Sequence, residues 1–302
     1  MIDFFKKLFG GGKKIVKTDI DSRFNKVGRV GHGTMSKVWK AIDYNTGRTV
    51  ALKVLDKEKT EKLEARFVGL DRPSEGEIAM QLKHPNVVRT LEHGWTRDAE
   101  QFLVMEYIEG NGLSFHVINQ SKQLQERRLD FAIQLAQAVE YFHRENWIHR
   151  DICPRNVMVD DNNVVKLIDF GLVVPNTPNF RKPGNRTGTA QYMAPELVKR
   201  QPTDQRIDIY SVGITIYEMF TKHYPWELKA SSFEAVVQAI NSPPAPIQEY
   251  CPKIDEQLAE IVMKSIAARP DDRWSSITRM LEAMRNVHAR TPTGLATSKQ
   301  RS

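Results

Sequence analysis

An α+β fold of two lobes, a smaller sheet-rich one followed by a larger helical one, is predicted by three observations. The chain has 302 residues, 40% of them hydrophobic, and can bury roughly three quarters of its unfolded surface, enough for one large or two small domains. From Arg23 to Val104 the apolar runs are short and rich in β-branched and aromatic residues, whereas after Gly112 they lengthen and take a helical period. The two patterns meet near residues 106–112, where a ligand cleft is expected.

The opening "MIDFFKKLFGGGKK" sets Phe5, Leu8 and Phe9 at helical spacing beside Lys6 and Lys7. Residues 1–9 either make a peripheral contact with an anionic membrane surface or belong to an arm, 1–22, that frays or packs on the body. Next, "NKVGRVG", "KVWKAID", "TVALKVL" and "QFLVMEY" read as strands parted by turns such as "YNTGR". One helix interrupts them at "SEGEIAMQLK", with Ser74 and Glu77 spaced for a capping box and "HPN" at His84–Asn86 ending it. Beyond Gly112, "RRLDFAIQLAQAVEYFHRE", "DIYSVGITIYEMFTK", "SFEAVVQAIN" and "DEQLAEIVMKSIA" repeat their apolar residues as helices do. The tail 289–302 lacks any period, and disorder is expected there.

Net charge is +7, but most of it sits in the two ends, and the nearly neutral body gives no reason to expect a nucleic-acid partner. Cys153 and Cys251 lack metal-ligand spacing, and no apolar run approaches the roughly 20 residues of a spanning helix. The opening also lacks the pattern of a secretory signal. A reduced, cytoplasmic protein is expected.

Gly31 and Gly33 in "VGHGTMSKVWKA" fit a turn between two strands, with Val30 before it and Ser36 where a third glycine would relax the hairpin further. Such a turn alone is weak evidence for phosphate binding. Lys53 lies in the apolar strand "VALKV", where alternation turns it inward; it then needs a carboxylate, which Glu75 or Glu77 can provide. The alternative is that it snorkels to solvent. "HRDICPRN" at His149–Asn156, "DFG" at Asp169–Gly171 and "APE" at Ala194–Glu196 follow in order.

Taken together, these motifs resemble the protein kinase family from Phe24 to Val287. The resemblance implies a bilobal protein-kinase-like fold: a small antiparallel sheet plus one helix (23–105), a hinge (106–112) and a larger, mainly helical lobe (113–288). It implies a serine/threonine protein kinase using ATP with magnesium or manganese on a protein hydroxyl, the alternative being a pseudokinase acting as a nucleotide-dependent scaffold. Lys53 would hold the α- and β-phosphates and pair with Glu75, nine residues before His84. Asn156 and Asp169 would hold the metal, and Asp151 would accept the proton of the substrate hydroxyl. Around the adenine, Val38 and Ala51 would cover one face and Met158 the other, with Met105 behind and the backbone of Glu106 and Ile108 at the ring edge. Asp208 would fix the catalytic loop, and Arg273 would pair with Glu196.

One position departs from the family. Serine/threonine kinases usually carry a lysine two residues after the catalytic aspartate, and here that residue is Cys153, which has no positive charge. Arg155, two positions on, is expected to supply the cation with a planar fork instead of a flexible ammonium. Thr189 and Tyr192 in "GTAQYMAPE" keep the serine/threonine arrangement, in which the threonine hydroxyl bonds the catalytic aspartate. Arg150 usually meets an activation-segment phosphate, but the usual phosphosite falls on Asn185, leaving Thr187 and Thr177 as candidates.

Overall fold

The computed structural model describes residues 17–32, 35–183, 187–226 and 241–290. The N-terminal aromatic-basic stretch, Gly33, Asn185, most of "SFEAVVQAIN" and residues 291–302 lie outside the described residues, whereas Ala289 and Arg290, expected in the tail, end a helix. Two compact units form, one from residues 1–68 and 89–107, the other from 69–88 and 108–302.

The first unit is a six-stranded sheet. Its strands are β1 (Lys17–Thr18), β2 (Phe24–His32), β3 (Ser36–Asp43), β4 (Arg48–Leu55), β5 (Thr90–Thr96) and β6 (Gln101–Glu106), in the spatial order β1-β5-β6-β4-β3-β2. All neighbours run antiparallel except β1, which pairs parallel to β5 through Lys17 and Thr18. A short helix α1 (Ile20–Arg23), capped by Asp19, turns the chain from β1 into β2. The Arg23 guanidinium then clamps both Asp43, at 3.1 Å, and Glu92, at 2.7 Å, tying this entry to two strands.

Strand pleat divides the sheet into two faces. Ala41, Val50, Leu52, Val54, Phe102 and Val104 bury one face together with Ile20 and Phe24. Register places Val38 opposite Lys53, and Ala51 opposite Met105, so these four share the other face.

Where a single helix was expected before β5, two form: α2 (Lys57–Glu64), followed by a 3₁₀ turn at Ala65–Phe67, and α3 (Glu75–Gln81). Gly69, Asp71 and Pro73 lie between them, the first two at positive φ, and such backbone cannot continue a helix. Segment 69–88 belongs to the second unit. The reason is its exit: Lys83 N–H donates to Tyr141 Oη, Asn86 Nδ2 to Gln134 Oε1 and the Val165 carbonyl, and Val88 N–H to the Leu167 carbonyl.

The second unit is mostly helical: α4 (Leu113–Asn119), α5 (Lys122–Arg144), α6 (Pro195–Val198), α7 (Arg206–Thr221), α8 (Ile247–Tyr250), α9 (Glu256–Ser265) and α10 (Ile277–Arg290). Its short strands are β7 (Gly110–Gly112), β8 (Trp147–Ile148), β9 (Val157–Asp160), β10 (Val165–Leu167) and β11 (Val174–Pro175), forming the sheets β10-β9-β7 and β11-β8. Helix α7 is buried along nearly its whole length, as its almost unbroken apolar text requires, and Tyr210 and Tyr217 are among the largest fully buried side chains. Helices α5 and α9 pack against it, and α10 covers α5. Among the described residues, no helix is long and apolar enough to cross a membrane.

Arg273 and Glu196 form a bidentate pair at 2.8 Å, both buried. The same guanidinium donates to the carbonyls of Arg206, Ala267 and Ala268, so one side chain joins three segments. Removing either partner leaves a buried charge behind; Arg273→Ala is expected to cost about 3–5 kcal/mol, measured by urea unfolding.

Candidate active site

In the first unit, the shared face of β3, β4 and β6 carries Val38, Ala51, Lys53 and Met105. Lys53 is 5% exposed, so the snorkelling alternative fails and the ammonium is buried as the alternation of "VALKV" requires. Ser36 is buried, Val30 is half exposed, and Gly31 pairs with Val38 across the β2–β3 hairpin. The Glu106 N–H donates to the Arg89 carbonyl, and its carboxylate accepts from the Arg89 N–H, which fixes the end of β6.

The second unit holds the loop His149–Asn156. Its foundation is Asp208 on α7, a fully buried carboxylate that accepts from the backbone N–H groups of His149 and Arg150 and from His143 Nε2, each at 2.9 Å. Burial opposes the charge, but the His143 hydrogen bond and the neighbouring positive groups outweigh it and hold Asp208 below the usual carboxylate range. His149 is pushed down by burial and packs edge-on against Phe142 and Phe170, so the loop and the "DFG" phenylalanine share one aromatic cluster.

Asp151 is oriented from both sides. Asn156 Nδ2 donates to its carbonyl at 2.8 Å and to Oδ2 at 2.9 Å, while the Thr189 N–H donates to Oδ1 at 2.7 Å. Only glycine fits before Thr189: Gly188 has φ +127°, and a Cβ there would lie 2.7 Å from the Arg150 carbonyl. With its amide nitrogen spent on Asp151, Asn156 keeps its amide oxygen as the atom to offer a cation, and Asp169 Oδ1 accepts from the Gly171 N–H at 3.1 Å. Met158 in β9 lies opposite Gly112 and Lys166, and Ile108 is buried.

One expectation changes. Thr189 reaches Asp151 through its backbone amide, not its hydroxyl. The hydroxyl instead accepts from Arg155 Nη2 at 3.4 Å and meets Cys153 Sγ at 3.8 Å. Arg155 therefore sits against Thr189 beside Asp151, on the side of the loop that Cys153 leaves without charge. Burial, with Asp151 adding to it, pushes the Cys153 thiol up and keeps it protonated. Among the candidate phosphosites, Thr187 is buried and its hydroxyl has no hydrogen-bond partner, whereas Thr177 is half-buried.

Between the two glutamates, the structure separates roles. Glu77 closes the capping box with Ser74, and Glu75 is buried with its carboxylate next to Gly171. Sequence reading missed Arg72, whose guanidinium bonds the backbone of the "DFG" segment. It also missed Glu218, which accepts from Tyr192 Oη at 2.5 Å. Neither lies in a motif, and the only sequence signal for Glu218 was a carboxylate on an otherwise apolar helix.

These observations agree with comparisons to known proteins. Residues 24–286 match the family model of the protein kinase domain. The chain is 30% identical over 274 residues, 90% of its length, to a probable serine/threonine-protein kinase of Clostridium acetobutylicum. It is 33% identical over 259 residues to a probable serine/threonine-protein kinase of Streptomyces coelicolor, and 29% identical over 270 residues to the serine/threonine-protein kinase PknB of Mycobacterium leprae, covering 83% and 87% of this chain. It spans 41%, 38% and 42% of these relatives, so each has more than half its length outside the match. The chain belongs to the protein kinase family.

Burial raises the Glu218 carboxyl from 4.5 to about 7, against the Tyr192 hydrogen bond, which lowers it. The folded chain thus keeps a proton that the unfolded chain releases, and stability falls as pH rises through that window, by about 3 kcal/mol in all. Glu218→Gln, which cannot ionise, is expected to flatten this fall when denaturant unfolding is compared at about pH 5 and about pH 8.

Proposed function

We propose that the chain is an active serine/threonine protein kinase that transfers the γ-phosphoryl group of magnesium-bound ATP to a hydroxyl of a protein substrate. The observation that carries this reading is the double restraint on Asp151, whose carboxylate is held by Asn156 on one oxygen and by Thr189 on the other. A carboxylate so oriented can accept the proton of a substrate hydroxyl as it attacks phosphorus.

Roles for the other residues follow the family resemblance. Val38, Ala51 and Met105 offer an apolar face for a planar ring, with Met158 for its opposite side and the backbone of Glu106 and Ile108 for its edge. By the same resemblance, Val30, Gly31, Gly33 and Ser36 would take the part of the residues that meet the phosphates. Lys53 takes the part of the amine that holds phosphate oxygens, and Glu75 that of its counter-ion. The donor set fits a hard cation: Asn156 and Asp169 offer oxygen only, and magnesium commonly takes one or two protein oxygens and completes its shell with phosphate and water. Bound, the nucleotide and its metal would supply the phosphoryl group and the charge that neutralises its oxygens. Phosphoryl transfer then asks the protein mainly for positioning.

Arg155 serves as the cation of the catalytic loop. Its bond to the Thr189 hydroxyl holds a guanidinium beside Asp151, where the Cys153 thiol offers no charge. The free cysteines suit the cytoplasmic setting that ATP requires.

Labelled ATP with magnesium and a generic protein substrate tests the reading. Asp151→Asn is expected to lower turnover by about 10²–10⁴-fold, and Arg155→Ala to lower it with partial recovery in Arg155→Lys. Phosphate appearing on serine or threonine is the expected product. Nucleotide binding without any transfer by the wild-type chain would point to a scaffold, and phosphotyrosine as the sole product would refute the serine/threonine assignment.

A further inference from the structure

Glu75 is the first residue of α3, with Ser74 as its cap. The N–H groups of a first helical turn have no partner within the helix, so this end must be held from elsewhere. The capping box supplies one restraint, at Glu77. Behind it, residues 69–74 form neither helix nor strand, and a side chain from this stretch adds a second support.

Arg72 supplies that support. Its Nη2 donates to the Gly171 carbonyl at 2.6 Å and its Nε to the Val173 carbonyl at 2.8 Å, spanning two peptides of the segment that follows Asp169. These are charge-assisted bonds in the fork geometry that only a guanidinium provides. Gly171 is also where two carboxylates converge. A Cβ at that position would lie 3.3 Å from Glu75 Oε2 and 3.4 Å from Asp169 Oδ1, and the Gly171 N–H itself bonds Asp169.

We propose that Arg72 is a positioning residue that ties the entry of α3 to the backbone of the "DFG" segment, so that Glu75 and Asp169 are set as one piece. The link is made by protein groups alone and does not draw on a phosphorylated side chain. Its catalytic consequence rests on the kinase reading, since it acts through the residue assigned to hold the metal; the tie itself does not. Groups behind a metal ligand commonly alter metal affinity by about 10–100-fold when removed.

The test uses the full chain and two readouts. Hydrogen–deuterium exchange is followed over residues 75–81 and 169–175, and the magnesium concentration giving half-maximal transfer is measured, for wild type, Arg72→Ala and Arg72→Lys. Arg72→Ala is expected to exchange faster over both segments and to need about tenfold more magnesium or above. Arg72→Lys, able to reach one carbonyl at a time, should fall between the two. Wild-type exchange and an unchanged magnesium requirement in Arg72→Ala would overturn the proposal. So would a loss of rate that merely tracks the loss of folded protein in both variants. Faster exchange at the two segments in a chain whose wild type transfers no phosphoryl group would uphold the tie and remove the kinase reading.

Discussion

The loop His149–Asn156, which carries the proposed catalytic residues, depends on a single buried carboxylate. Asp208 is wholly out of solvent and accepts three hydrogen bonds, two from consecutive backbone N–H groups and one from an imidazole. A lone carboxylate in such a place would be protonated or expelled. Here its charge is kept by these donors and the neighbouring positive groups, and in return it pins the peptides of His149 and Arg150, the latter at φ 71°, a conformation uncommon for a non-glycine residue. Asp151 follows directly, and its orientation is completed by Asn156 and Thr189.

A different constraint orders the sheet. Pleat alternation puts the apolar cluster of Leu52, Val54 and Phe102 on one face and leaves Val38, Ala51, Lys53 and Met105 on the other. Hydrophobic burial on the first face sets the register, since a slip of one residue would exchange the two sets. The position of Lys53 is therefore a by-product of core packing, and its buried amine is the consequence that the fold must accommodate.

Much of this was legible in the residues. The shift from short β-branched runs to long helical ones marked the change from sheet to helices, and the capping box at Ser74 and Glu77 formed as its spacing required. The motifs from Lys53 to Glu196 pointed to the protein kinase family, which the family match over residues 24–286 shows. What escaped were contacts set by tertiary structure. Segment 69–88 joined the helical unit because Lys83, Asn86 and Val88 find their hydrogen-bond partners there, which no local pattern encodes. The extra helix α2 arose from a stretch whose polar, lysine- and glutamate-rich text has helical propensity but no apolar face, so periodicity passed over it. Thr189 used its amide, and its hydroxyl went to Arg155 and Cys153, because Gly188 turns the backbone toward Asp151.

The most direct measurement is made on Asp208→Asn, since an asparagine must present an N–H to one of three groups that are themselves donors. Phosphoryl transfer per folded molecule is expected to fall by about 100-fold or more, with the KM for ATP changed far less, because the residues of β3, β4 and β6 proposed to hold the nucleotide make no hydrogen bond to Asp208. Transfer at the wild-type rate in that variant would contradict the account.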